Sequence, residues 1–190
     1  MNKVLGFLVI VLGPLASGLA CASGALVSLL SGEEYAQASP ALSILSAALV
    51  CASVACLVVS VVMLALRMDK QILLASALSA IVNIVLNLVM IPIWSFNAAA
   101  FITFVSEFIV MVMEFWYTRD KMSYQIGREV RYAVIGACEV AAICGLLRLV
   151  GISDAGFLVL AVLLSVVIYA ATLWFGGIGR ELVTMLLGSK

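Results

Sequence analysis

The strongest constraint in this sequence is a succession of long apolar runs separated by short segments that carry charge or turn residues. A bilayer has a hydrocarbon core about 30 Å thick, which an α-helix crosses in roughly 20 residues. Backbone groups find no water in lipid, so runs of this length can satisfy their hydrogen bonds only as helices. The runs cover approximately residues 4–30, 41–66, 72–91, 98–117, 132–150 and 155–175. The sequence therefore predicts an all-α integral membrane bundle of about six transmembrane helices over residues 1–175.

The composition also predicts that most of the chain lies in a lipid bilayer, and it excludes several functions. Apolar residues make up 66% of the 190 residues and charged residues 11%, which no water-soluble domain of this size could carry on its surface. Ten Lys and Arg balance ten Asp and Glu, so there is no net basic field to gather nucleic acid. Membrane lipid is the expected partner, and nucleic acid is not.

The residue types needed for common catalytic sites are missing or misplaced. The chain has no His, which removes imidazole metal ligands and the usual base of a nucleophile. Its five Cys lie inside apolar runs without a C-x-x-C pair and are read as packing residues. The sequence also has no phosphate-binding Gly-rich loop and no catalytic Ser motif. We therefore predict no catalytic residue, no metal site and no cofactor, and any energy input would come from an ion gradient.

The basic residues predict an orientation. Cytoplasmic loops of membrane proteins carry an excess of Lys and Arg. With Lys3 inside and six crossings, only Arg148 is left on the outer side, and both chain ends are cytoplasmic. The other nine basic residues then lie inside: Lys3, Arg67, Lys70, Arg119, Lys121, Arg128, Arg131, Arg180 and Lys190.

The two ends of the chain need separate interpretations. Lys3 followed by an apolar stretch and Ala20-Cys21-Ala22 could pass for a secretory signal. The apolar run continues to residue 30, too long for a signal core, so a first transmembrane helix is favoured. Residues 176–190 are short and amphipathic, and we expect them to form a cytoplasmic tail on the inner membrane surface.

Three carboxylates fall within apolar runs, where ionisable groups are expensive and a functional or paired role is the first hypothesis. Glu107 lies near the middle of its run, Glu114 follows seven residues later on the same helix face, and Glu139 lies in the fifth run. A transporter could use such groups to bind protons or cations, and Glu107 and Glu139 are the candidates for that coupling role. Alternatively, both bond to neighbouring helices or a water-filled crevice, while Glu114 reaches toward Arg119.

Two amides and a proline complete the candidates. Asn83 and Asn87 are four residues apart and share a helix face that should avoid lipid. They are interpreted as contacts between helices, with contact to a substrate as the alternative. Pro14 removes a backbone donor inside the first run and is expected to kink that helix. Such a kink can serve gating, although many have no such role.

Four motifs, in order, resemble the C-terminal half of the polysaccharide flippases, members of the multidrug, oligosaccharidyl-lipid and polysaccharide exporter superfamily. They are Gly-Glu-Glu-Tyr at 32–35, Ala-Leu-Arg-Met-Asp-Lys at 65–70, Asn-x-x-x-Asn at 83–87 with Ile-Pro at 91–92, and Ala-Ala-Ala-Phe-Ile-Thr at 98–103 with Ser-Glu at 106–107. The resemblance covers about residues 10–118. One departure is that Ser95 and Ala98 stand where the family usually has glycines, so a less tight turn is expected there.

The resemblance implies a function and also an incompleteness. Flippases of this family move undecaprenyl-linked oligosaccharides across the bacterial inner membrane for surface polysaccharide, with the headgroup passing between two lobes. This chain would supply one lobe, so a missing N-terminal lobe or a partner chain is implied. Two alternatives stay open: a drug exporter of the same superfamily, and a membrane scaffold for polysaccharide enzymes that transports nothing.

Overall fold

A computed structural model describes residues 2–179, and this part of the chain is helical with no strand. Five helices in it are long and apolar enough to cross a membrane. A 3-10 helix, Glu33–Ala38, leads into the second helix, and a π-helical turn, Val59–Met63, follows it. The helices are α1 (Asn2–Ser31), α2 (Ser39–Val58), α3 (Asp69–Thr118), α4 (Gly127–Leu149) and α5 (Asp154–Phe175). The predicted all-α class is confirmed, with five long helices where six runs were expected.

The difference in number arises in α3, which joins the third and fourth apolar runs. Its 50 residues are helical except at Ser95, whose φ of 54° and ψ of −137° interrupt the helix at a kink. The two halves, 69–94 and 96–118, lie side by side: Asn83 Nδ2 donates to Ser106 Oγ over 2.9 Å. An unbroken helix would hold those residues about 35 Å apart. α3 is therefore a helical hairpin that reverses at Ser95.

This reversal is tighter than the sequence suggested. The expected connection at 94–97 is reduced to one non-helical residue, and the helix continues through Pro92. Ser95 takes a positive φ that favours glycine, and Ala98 behind it is fully buried. The expectation of a looser turn was wrong, because Ser95 adopts the conformation that a glycine would have supplied.

Other boundaries differ by smaller amounts. α4 begins at Gly127 rather than at Tyr132, since the polar stretch 127–131 is already helical. Glu139, about a third of the way along the predicted run, therefore lies at the middle of the observed helix. Of the predicted tail, 176–179 are described and Ile178 is buried, whereas 180–190 lie outside the described residues.

α1 is the central helix and packs against α2, α4 and α5, while α3 packs against α2. Side-chain bonds show which termini lie together. Asn2 donates to the carbonyl of Ser123 (2.8 Å), and Lys121 Nζ lies 3.5 Å from the sulfur of Met68. Ser28 donates to Asp154 at the other end (2.5 Å).

The end of the bundle that holds Asn2, Met68, Lys121 and Ser123 is called the basic end, because it gathers Lys and Arg residues. Between residues 2 and 179 there are eight Lys and Arg, and all but Arg148 lie at the helix termini and turns of this end. The basic end comprises Lys3, Arg67, Lys70, Arg119, Lys121, Arg128 and Arg131. The opposite end holds Arg148 together with the acidic residues Glu33, Glu34 and Asp154.

Candidate functional site

The most specific contact within the bundle concerns Pro14 of α1. Because proline has no N–H, the carbonyl of Ile10, four residues earlier, cannot receive its ordinary helical hydrogen bond from position 14. The hydroxyl of Tyr169 on α5 donates to that carbonyl over 2.9 Å. A side chain of a neighbouring helix thus supplies the donor that Pro14 removed, as apolar surroundings require.

Two glycines allow α1, α4 and α5 to meet at this point. A Cβ at Gly136 would clash with the Tyr169 ring and lie 2.7 Å from Pro14 Cγ, and a Cβ at Gly13 would lie 2.9 Å from the carbonyl oxygen of Ala133. Both distances are shorter than real carbon contacts. Here α1 and α4 approach through their backbones, and the Tyr169 ring fits against the bare face of Gly136.

Glu139 lies one turn beyond this junction on α4. Its Oε1 accepts a hydrogen bond from Thr172 Oγ1 on α5 at 2.7 Å. Its Oε2 is buried and has no hydrogen-bond partner among the described residues. Glu139 is therefore held in place by α5 while one carboxylate oxygen stays available to a proton, a cation or water.

The two carboxylates of α3 differ from Glu139 and from each other. Glu107 is half-buried at the middle of the second half of α3, and no hydrogen bond or ion pair joins it to the described residues. Glu114 is only 2% exposed, and its Oε2 also lacks a partner. The alternative in which Glu114 reaches Arg119 is wrong, because Arg119 instead lies over the Trp116 ring and 3.6 Å from Asp120.

The amides form a ladder inside the α3 hairpin. Asn87 Nδ2 donates to the side-chain and backbone oxygens of Asn83, both at 2.9 Å, and Asn83 donates to Ser106. Ser79 Oγ donates to the Ser106 carbonyl (3.1 Å), one turn away. The predicted helix-to-helix contact is present for Asn83, whereas Asn87 bonds within its own helix and leaves Oδ1 without a partner in residues 2–179.

An apolar groove of about 630 Å³ lies between α1 and α5 beside the junction, with Val140 and Cys144 of α4 also on its wall. It extends from Phe7 to Leu26 along α1 and from Leu158 to Leu173 along α5. The one hydroxyl on its wall without a bond to the described chain is Ser165 Oγ, which is buried. Pro14 and Tyr169 both border this groove.

The candidates therefore fall into two groups. Pro14 and Glu139 lie close together at the meeting of α1, α4 and α5, whereas Asn83, Asn87 and Glu107 lie in the α3 hairpin. Across residues 2–179, no three His, Cys, Asp or Glu side chains converge as metal ligands. Pro14 lies within an uninterrupted α1, and its predicted kink stays a prediction.

Sequence reasoning missed Tyr169 and Thr172, which complete the first group. Both are polar residues three apart in a mostly apolar helix, so they share one face of α5. That spacing was visible in the sequence. Their partners were not, because nothing in the sequence relates α5 to Ile10 or Glu139.

A comparison of this chain with protein-family models, curated protein sequences and solved structures finds no match.

Proposed function

We propose that this chain is one lobe of a multi-pass transporter that moves lipid-linked oligosaccharides across the bacterial inner membrane by ion-coupled alternating access. In this proposal the hairpin of α3 crosses the membrane twice, which makes six crossings in total. The basic end and both termini face the cytoplasm, as the excess of Lys and Arg at that end favours.

The observation that carries the transport proposal is the setting of Glu139. An ion-coupling group must lie within the bundle, must have an acceptor atom available, and must contact an element that can move. Glu139 lies at the middle of α4, has a buried Oε2 without a partner among residues 2–179, and bonds to Thr172 of α5. Burial of such an oxygen is costly unless a proton, a cation or water occupies it.

Glu107 is proposed as a second coupling group with a different environment. It is at the middle of the second half of α3, and no hydrogen bond joins its carboxylate to the described chain. Glu139 is tied to a neighbouring helix by a hydrogen bond and Glu107 is not, so the Glu107 carboxylate is the freer of the two to bind an ion.

The substrate class rests on the order of the flippase-like motifs between residues 32 and 107. Transporters built from two repeats rock one repeat against the other around a central site. One lobe provides half of such a site, so the proposal includes a second lobe, on a partner chain or on a longer form of this one. That second lobe faces this one across the oligosaccharide.

The test is translocation in vesicles that contain this chain together with whatever membrane protein co-purifies with it. The probe is a fluorescent undecaprenyl pyrophosphate-linked oligosaccharide, and the readout is its loss from the outer leaflet under an imposed ion gradient. We expect translocation above protein-free vesicles, and a loss of about tenfold or more in E139Q and in E107Q.

D120N is the matched control, because Asp120 is an exposed carboxylate of the turn between α3 and α4 and lies outside the four motifs; its translocation rate should equal that of the native chain. Full activity in both E107Q and E139Q would remove the coupling assignment. If no assembly that contains this chain moves the probe, transport of lipid-linked oligosaccharide is excluded.

A further inference from the structure

The hydroxyl of Tyr169 lies between carbonyls of two different helices. It is 2.9 Å from the carbonyl oxygen of Ile10 on α1 and 3.4 Å from that of Tyr132 on α4. A phenol has one proton to donate, so it can make one of these bonds well at a time. The Tyr169 hydroxyl can therefore bond well either to α1 or to α4, but not to both at once.

The two acceptors are not equivalent. In a regular helix the Tyr132 carbonyl already accepts a bond from residue 136. The Ile10 carbonyl lacks that donor, because position 14 is proline. Donation to Ile10 is therefore favoured, while Tyr132 offers a second acceptor when the first is out of reach.

A further side-chain bond beside Tyr169 ties α5 to α4 and not to α1. Thr172 on α5 bonds to Glu139 on α4, which ties those two helices together one turn from Tyr169. α1 and α5 pack against each other as well, but the apolar groove runs between them beside these contacts. Their hydrogen bonds include Tyr169 to Ile10 near the basic end and Ser28 to Asp154 at the opposite end.

We propose that Pro14, Gly136 and Tyr169 form a movable joint. In this joint the Tyr169 hydroxyl breaks its hydrogen bond to the Ile10 carbonyl and donates to the Tyr132 carbonyl instead. This change lets α1 swing away from α5 and opens the groove. The closed arrangement, with Ile10 bonded, is the major state. The open arrangement is a minor state, because it leaves the Ile10 carbonyl without a donor. The joint depends on the helices of this chain alone and not on the cargo proposed above.

The experiment measures the distance between spin labels on either side of the groove, in the full chain embedded in lipid nanodiscs. Labels at L15C and V166C suit this purpose, since both positions line the groove and are 55% and 62% exposed. The five native cysteines are first replaced by alanine. We expect a main short distance and a minor longer one, and a rise of about tenfold in the minor-to-main ratio in Y169F.

Y132F is the matched control. It also removes a phenolic hydroxyl that donates to a carbonyl, that of Gly176 at 3.2 Å, but it leaves the backbone carbonyl of residue 132 in place. The distance distribution in Y132F should equal that of the native sequence. Equal distributions in Y169F and Y132F would overturn the joint.

A second pair of variants separates the joint from simple loss of packing. P14A gives Ile10 a backbone donor, so Y169F should change the ratio less than about threefold in that background. An undiminished effect in P14A would contradict the proposal. If Y169F does not assemble in membranes, P14A should restore its assembly whereas P92A, the removal of a proline on α3, should not; rescue by both or by neither overturns the joint.

Discussion

The junction of α1 with α4 and α5 and the hairpin of α3 are held together by different kinds of contact. On the side of α4 and α5, side chains donate to backbone carbonyls: Ser17 to Ala137, and Tyr169 to Ile10, at 2.8 and 2.9 Å. Glycines allow the backbones to approach on this side. In the α3 hairpin, which packs against α2, the two halves are joined by a side-chain pair, Asn83 to Ser106, and by a bond from Ser79 to the Ser106 carbonyl.

This difference indicates a movable contact between α1 and α5 and a rigid α3 hairpin. The contacts of α1 with α4 and α5 depend on a carbonyl that proline has released, and a groove runs beside them. The α3 hairpin is closed by the amide ladder and by one strained residue, Ser95. Buried Val58, Met63 and Met68 fix its basic end against α2. We therefore expect motion between α1 and α5, with the α3 hairpin moving as one body.

The largest effect should come from filling the glycine of the junction. G136A places a methyl group against both the Tyr169 ring and Pro14, and overpacking of this kind costs about 1–3 kcal/mol. The free energy of unfolding in lipid-detergent micelles should fall by that amount. G145A on the same helix has open space around its new methyl and should be neutral or slightly stabilising; equal losses in the two variants would contradict the close approach.

A smaller effect should come from the amide ladder. N83L removes the bond between the two halves of α3, and hydrogen bonds between transmembrane helices contribute about 0.6 kcal/mol on average and up to about 1.7. We expect a loss of about 1 kcal/mol in the same unfolding measurement. N87L breaks bonds within one helix and should cost less than half as much. A larger loss in N87L than in N83L would show that the hairpin is not closed by Asn83.

The smallest effect should be a gain at the turn. S95G relieves a conformation that costs a non-glycine residue about 1 kcal/mol, so the free energy of unfolding should rise by up to that amount. The same substitution at the exposed helical residue Ser76 should lower it by about 0.5 kcal/mol. Destabilisation by both substitutions would mean that Ser95 is not strained.

Much of this arrangement could be predicted from the sequence because long apolar runs follow simple rules. Run length indicated the helices, and the position of each carboxylate and amide followed from its place in a run. The reversal of α3 also fell where the apolar pattern paused, at 94–97. What the pattern could not indicate was that one residue makes the turn, since Ser95 has no particular preference for positive φ.

The junction at Pro14 could be predicted only in part. Proline inside an apolar helix indicates a released carbonyl, and Glu139 was expected to have a role or a partner. The donor to Ile10 comes from a residue 159 positions away, and the partner of Glu139 lies 33 positions away. Pairings of this kind depend on helix packing, which apolar periodicity in a membrane protein determines poorly, because lipid and helix interior are equally apolar.

The central claim is that α3 turns back at Ser95, on the side of the membrane opposite to the basic end. Single cysteines at Glu34, Ser95 and Ser123, which are all exposed, test it in intact cells once the native cysteines are replaced. A membrane-impermeant thiol reagent should label E34C and S95C from outside, and S123C only after the membrane is permeabilised. Labelling of S95C from the same side as S123C would contradict the six-crossing arrangement.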